Sequence, residues 1–119
     1  MNRRDTARIG EEAAADHLIR IGYRILARNF RCETGEIDLV AADGGTLCFI
    51  EVKTRSSGEQ GTPEEAVTPA KRSHLRRTAR AYLAGLGREP ASCRFDVVAV
   101  LTGPDGRVRE LRVLKDAFA

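Results

Sequence analysis

The chain has 119 residues, of which 42% are hydrophobic and 31% are charged. This length allows one domain, residues 1–119, with one modest core. No apolar stretch is long enough for a membrane span, and the N-terminal segment lacks the apolar run of a signal peptide, so we expect a cytoplasmic protein. The three cysteines are widely spaced and form no Cys-x-x-Cys pair, which argues against a disulfide framework and a zinc site.

Apolar periodicity and turn residues predict seven elements in the order α-β-β-β-α-β-β. In chain order they are a helix over 5–21, strands over 23–31, 36–41 and 46–54, a helix from Pro69 to about Leu86, and strands over 93–101 and 108–114. Asp43-Gly44 predicts a tight turn between the second and third strands, and the polar, glycine-rich segment 55–65 predicts a loop. Thr68 and Gly87 are the expected caps of the second helix. This mixed order predicts an α/β sandwich with a mixed sheet.

Charged residues interrupt the two apolar strands of the predicted hairpin. Asp38 lies in the first of these strands, and Glu51 and Lys53 lie in the second. Because side chains alternate across a strand, Glu51 and Lys53 should project together, and Asp38 should join them if the hairpin pairs in register.

The same alternation predicts which neighbours share those faces. Asp38 should share its face with Glu36 and Val40, whereas Ile37 and Leu39 should take the opposite face.

Two interpretations of these charges are open. The first is a solvated sheet face with a cross-strand ion pair. The second is a metal site, because two carboxylates can hold a hard divalent cation and a nearby lysine can orient water or stabilise charge on a phosphate. The second interpretation predicts phosphodiester hydrolysis.

The spacing of these residues carries a resemblance to a known superfamily. Asp38 and Glu51 are 51 − 38 = 13 positions apart, and Glu51-Val52-Lys53 is an E-x-K triplet. This pattern resembles the PD-(D/E)XK nuclease superfamily, and the spacing is similar to that of archaeal Holliday-junction resolvases. Ile37 stands where the superfamily name has proline. From about Arg8 to Leu114 the segments "GEIDLVA", "FIEVKTR" and "RFDVVAV" resemble the YraN-like family of bacterial proteins, described as endonuclease-like.

The resemblance implies a fold and roles for named residues. It implies a restriction-endonuclease-like α/β sandwich, a central mixed sheet flanked by helices. Asp38 and Glu51 match the acids that hold Mg²⁺ or Mn²⁺, Lys53 matches the catalytic lysine, and Glu11 matches the helical acid that completes the site. The alternative for Glu11 is a solvent-facing charge; its neighbour Glu12 points about 100° away on the helix.

The role of Glu36 stays open. It could serve as a further ligand or hydrogen-bond partner on the face of Asp38, or as a polar residue of the strand edge.

The second helix has a basic face. From Thr68 to Arg88 the chain has six basic residues and no acid. Arg72, Arg76 and Arg80 recur every four residues, so they should form a stripe. We expect this stripe, with Lys71 and Arg55, to contact nucleic-acid phosphates with little regard to base sequence; the alternative is a solvated face.

These expectations favour a magnesium-dependent endonuclease that acts on DNA, with branched repair or recombination intermediates as the expected substrates. An alternative is a nucleic-acid-binding module without catalysis that serves a DNA-processing assembly. A third is a small structural protein with a protein partner. A homodimer fits the first hypothesis, since related resolvases cut two strands symmetrically.

Overall fold

A computed structural model of the protein describes residues 2–56 and 61–119. The helices are α1 (Arg3–Arg20), α2 (Pro63–Ala66) and α3 (Pro69–Leu86). The strands are β1 (Arg24–Cys32), β2 (Gly35–Asp43), β3 (Thr46–Ser56), β4 (Ser92–Thr102) and β5 (Val108–Phe118). The elements follow the predicted order except for α2, a single helical turn inside the segment predicted as a loop. Residues 57–60 of that predicted loop lie outside the described residues.

The five strands form one mixed sheet in the order β1-β2-β3-β4-β5. Every neighbouring pair is antiparallel except β3 and β4, which are parallel. A parallel pair needs a long crossover, and α2 and α3 lie within it. The predicted α/β class with a mixed sheet is therefore confirmed, and the architecture is consistent with a restriction-endonuclease-like sandwich.

Each face of the sheet has its own buried cluster. The cluster under α1 includes Ala14, Leu18, Leu39, Ile50 and Val98. The cluster under α3 includes Leu75, Ala79, Val40, Phe49 and Val97. Because the two helices cover opposite faces, both faces of the central strands are withdrawn from water, which explains their almost continuous apolar sequences.

The ends of the helices follow from local capping. Thr68 Oγ1 accepts the N–H of Lys71 at 3.2 Å, and Gly87 ends α3 with φ of 76°. Both caps were predicted. Helix α1 begins earlier than predicted, because Asn2 Oδ1 accepts the N–H of Asp5 at 2.9 Å and thereby caps the first turn.

Strand β2 departs from the predicted alternation. Ile37 packs in the cluster under α3 and Leu39 packs in the cluster under α1, so the prediction that they share a face was wrong. The irregularity lies beside Asn29 of β1, which has φ of 52° between the paired residues Arg28 and Phe30. Because regular alternation requires extended backbone on both strands, a left-handed residue here lets β2 change face at Asp38.

A polar network links strands β2, β4 and β5 near the end of β2 and the start of β4. Asp96 is almost fully buried; it accepts hydrogen bonds from Tyr23 Oη at 3.0 Å and Arg94 Nε at 2.9 Å. Arg94 also donates to Asp43 at 2.6 Å, and Lys115 lies 3.3 Å from the same carboxylate. The buried carboxylate of Asp96 is thus paired with Arg94.

None of the helices within the described ranges is both long enough and apolar enough to cross a membrane.

Candidate functional site

The predicted acids line a cleft of about 1450 Å³ at one end of the sheet. Four parts of the fold enclose it: the first turns of α1, the adjoining parts of β2 and β3, the start of α3, and the turn between β4 and β5. Its lining includes Arg4, Thr6, Glu11, Asp38, Glu51, Lys53, Thr54, Lys71, Thr102 and Gly103. The fold thus brings Glu11, Asp38, Glu51 and Lys53, which come from three separate segments of the chain, to one cavity.

Glu51 is the most buried charged side chain of this cleft, with 4% exposure. Lys53 Nζ lies 3.7 Å from Glu51 Oε2, which agrees with their predicted shared face. Lys71 Nζ of α3 lies closer to the same oxygen, at 3.1 Å. A carboxylate this deeply buried requires charged partners, and two ammonium groups supply them.

Asp38 lies against Glu51 and is held by the backbone of the neighbouring strand. Its Oδ2 accepts the N–H of Val52 at 2.8 Å. Burial, followed by a hydrogen bond and charge repulsion from Glu51, raises the pKa of Asp38 to about 9, and the N–H of Val52 opposes this shift. Two adjacent carboxylates repel each other when both are ionised, so this arrangement favours the protonated form of Asp38.

Glu11 approaches the pair from helix α1. Burial, followed by the negative charge of Glu36, raises the pKa of Glu11, while hydrogen bonds to Asp38 and Asn29 lower it. The approach depends on Gly10, because a Cβ there would overlap Oγ1 of Thr54 on β3. Glycine lets α1 lie against β3 closely enough for Glu11 to reach the hairpin acids.

The carboxyl groups of the cleft are ligands of the type that hard divalent cations bind. Glu11, Asp38 and Glu51 line it together, and two lysines offset the charge of Glu51, a task that a cation could take over. Within the described ranges, no group of three or more Asp, Glu, His or Cys side chains could hold a metal ion as it stands. In this arrangement Glu51 is engaged by Lys53 and Lys71, and Asp38 accepts the N–H of Val52.

Comparison with known proteins assigns the family. A sequence model of a protein family, described as "Uncharacterised protein family UPF0102", matches residues 10–100. The chain belongs to the UPF0102 family. A UPF0102 protein of Symbiobacterium thermophilum is 60% identical over 109 residues, covering 92% of each chain. Another, from Moorella thermoacetica, is 54% identical over 118 residues, covering 99% of this chain and 98% of the relative. The predicted YraN-like family is thereby confirmed.

The predicted basic residues take different positions in this UPF0102 chain. Lys71 lines the cleft. Arg72 and Arg76 are turned to the end of the chain: Arg72 lies 5.2 Å from the ring centroid of Phe118 and donates to the carbonyl of Val67, and Arg76 donates to the carbonyl of Ala119.

Two further basic residues were predicted to bind nucleic acid. Arg80 is exposed on α3. Arg55 lies at the end of β3, and its carbonyl accepts a hydrogen bond from Thr102 at 3.3 Å.

The remaining acids of the UPF0102 chain lie at the margin of the site. Glu36 pairs with Arg31 at 3.3 Å across β1 and β2, as a strand-edge residue would. Its charge nevertheless acts on Glu11, so both open interpretations of Glu36 retain support. Glu12 is exposed, in agreement with the preference for Glu11.

Sequence reasoning missed two contributors to the UPF0102 site and one contact of a third. Asn29 and Gly10 were not singled out, and Lys71 was expected to bind nucleic acid alongside the basic stripe, without its contact with Glu51. A signal existed for Asn29, because asparagine tolerates left-handed backbone better than most residues. Gly10 interrupts a helix, where glycine weakens stability, and this indicates a packing reason.

Proposed function

We propose that this protein is a metal-dependent nuclease of the PD-(D/E)XK superfamily that hydrolyses the phosphodiester backbone of DNA. The observation that carries the proposal is the meeting of Asp38, Glu51 and Glu11 with Lys53 in one open cleft. They come from one helix and two strands, and together they match the residue types that the E-x-K resemblance implies.

The residues have distinct tasks in this proposal. Asp38 and Glu51 would hold Mg²⁺ or Mn²⁺, with Glu11 completing the set from α1. A cation held there would supply an activated water and would neutralise charge on the phosphate. Lys53 shares a face with Glu51 and keeps its ammonium beside it, where it can orient the attacking water and stabilise the charge that develops on the phosphate.

The fold also supports specific positioning of these groups. The N–H of Val52 fixes the carboxylate of Asp38, and both acids lie on paired strands rather than on a loop. Catalysis of phosphoryl transfer comes mostly from orientation and charge, so it needs accurately placed side chains. Paired strands provide such placement.

Cleavage assays test the proposal. Linear, flapped and four-way-branched DNA are incubated with wild type, Glu51→Gln and Lys53→Met in Mg²⁺ or Mn²⁺, with a chelator as the blank. We expect cleavage by wild type and at least about a hundredfold loss in both variants. Glu12→Gln is the matched control because it removes an exposed carboxylate next to Glu11 and should keep full activity.

The alternative is a nucleic-acid-binding module without catalysis. The observation that favours it is the engagement of Glu51 by two lysines. DNA binding that falls steeply with salt, needs no metal and survives Glu51→Gln, together with equal residual cleavage in wild type and variant, would replace the nuclease by this module.

A further inference from the structure

Glu51 faces two ammonium groups at unequal distances. Lys71 Nζ lies 3.1 Å from Oε2 and Lys53 Nζ lies 3.7 Å from it. Both ammonium groups thus lie beside Oε2, an oxygen that a cation held by Glu51 could also use. A divalent cation at Glu51 would be repelled by both ammonium groups at such distances. Binding of the cation is therefore easier if one ammonium group moves away.

The two lysines differ in how easily they can leave. Lys53 lies on the same strand as Glu51, two residues away, and its side chain is 28% exposed. Lys71 lies in the first turn of α3, where its backbone is fixed by the Thr68 cap, and its side chain is 44% exposed. Lys71 can therefore turn its flexible stem into the cleft while its backbone stays in place.

We propose that Lys71 is a positioning residue that balances Glu51 in the absence of a cation and turns to a phosphate oxygen of the nucleic acid once a cation is bound. This inference rests on the proposed function. Lys71 would thus weaken binding of the cation alone and strengthen binding of nucleic acid. Since the released ammonium is available only in the cation-bound state, cation and nucleic acid bind with positive coupling, which is reciprocal.

Calorimetric titration with Mn²⁺ chloride tests the first half. Lys71→Met keeps the aliphatic stem and removes the charge, so it should bind Mn²⁺ about fivefold tighter than wild type. Lys115→Met is the matched control: Lys115 also pairs with a carboxylate, that of Asp43 at 3.3 Å, at the opposite end of the sheet. It should bind Mn²⁺ like wild type. Lys71→Arg, which retains the charge, should also stay close to wild type.

Fluorescence anisotropy with a labelled DNA duplex in Ca²⁺ tests the second half. Lys71→Met should bind the duplex about tenfold more weakly than wild type. Its slope of log affinity against log salt should be shallower by about 0.9, the value for one lost phosphate contact. Lys115→Met should change neither quantity.

The outcomes separate this inference from the proposed function. If wild type binds Mn²⁺, Glu51→Gln does not, and Lys71→Met shows no gain in affinity, then the role of Lys71 is overturned and the metal site stands. If Glu51→Gln binds Mn²⁺ as well as wild type, or if no protein in the series binds it, both are overturned. Unchanged DNA affinity in Lys71→Met also overturns the role of Lys71.

Discussion

The carboxylate of Asp38 accepts the backbone N–H of Val52 at 2.8 Å, across the β2–β3 hairpin. The backbone pairing of these strands runs from Asp43 and Thr46 to Leu39 and Ile50. Beyond that point the side chain of Asp38, instead of a backbone carbonyl, accepts the next hydrogen bond from β3. A strand end would otherwise fray, and here the bond fixes a half-buried acid beside Glu51. The same contact closes the hairpin and sets the geometry of the candidate site.

Asp38 should make stability depend on pH. Its pKa is raised to about 9 from an ordinary 3.8, so the native protein binds more protons than the unfolded chain between these values. Stability should therefore fall as pH rises from about 4 towards about 9. Asp38→Asn should exceed wild type in stability at pH 8.5 by at least about 1.4 kcal/mol, the value of one pKa unit, and match it at about pH 4 or below. Urea unfolding measures both, and parallel pH profiles for the two proteins would contradict the prediction.

A divalent cation should stabilise the folded protein at pH 8. At a Mn²⁺ concentration a hundredfold above its dissociation constant, linkage adds about 2.7 kcal/mol to the free energy of unfolding. We expect a higher Tm for wild type in Mn²⁺ and no change for Glu51→Gln, measured by thermal unfolding. An equal rise in both proteins would show that the ion binds elsewhere.

Gly10 should tolerate no side chain. A Cβ at this position would overlap Thr54, so Gly10→Ala should cost about 1–3 kcal/mol as overpacking. Gly85 is the matched control, because it lies in α3 with open space around its Cβ position. Gly85→Ala should stabilise by roughly 0.5–1 kcal/mol. Thermal unfolding compares them, and Thr54→Ala should recover part of the loss; equal stability of the two glycine variants would remove the packing argument.

Arg94 should contribute strongly to folding. Arg94→Met would leave the buried carboxylate of Asp96 without its ion pair at 2.9 Å, at a cost of about 3 kcal/mol. Arg112→Met breaks an exposed pair with Glu110 at 3.9 Å, so it should cost less than about 1 kcal/mol. Denaturant unfolding gives both values, and similar losses would mean that burial does not set the strength of these pairs.

The arginines of α3 should separate stability from DNA binding. Arg72 donates to a backbone carbonyl and lies over Phe118, so Arg72→Ala should lower stability by about 1 kcal/mol. Arg80 is exposed, so Arg80→Ala should leave stability unchanged and weaken duplex DNA binding roughly fivefold. Unfolding and anisotropy measurements on both variants check this, and an unchanged DNA affinity in Arg80→Ala would argue against the basic face as a binding surface.

Sequence predicted what local rules control. The caps at Thr68 and Gly87 depend on neighbouring residues and were predicted correctly. The shared face of Glu51 and Lys53 follows from simple alternation. The change of face at Asp38 was missed because alternation assumes extended backbone, and the left-handed residue Asn29 lies on the neighbouring strand.

The position of Lys71 could not be predicted from spacing alone. Lys71 reaches Glu51 only because the crossover brings the start of α3 back to the sheet. Lys71 lies four residues before Leu75, and this spacing indicates only that the two share a face of the helix. Its contact with Glu51 depends on packing between elements that are distant in sequence.

The single parallel pair also bears on the order of folding. Strands β1 to β3 are consecutive, so Asp38 and Glu51 can meet as soon as one hairpin closes. Pairing of β3 with β4 must join Thr46 to Ser92, a loop of 92 − 46 = 46 positions, and that slower closure accompanies the docking of α3. The acids should thus assemble before Lys71 arrives to neutralise them. Refolding should accordingly be faster in Asp38→Asn than in wild type at pH 8.5, as stopped-flow measurements would show.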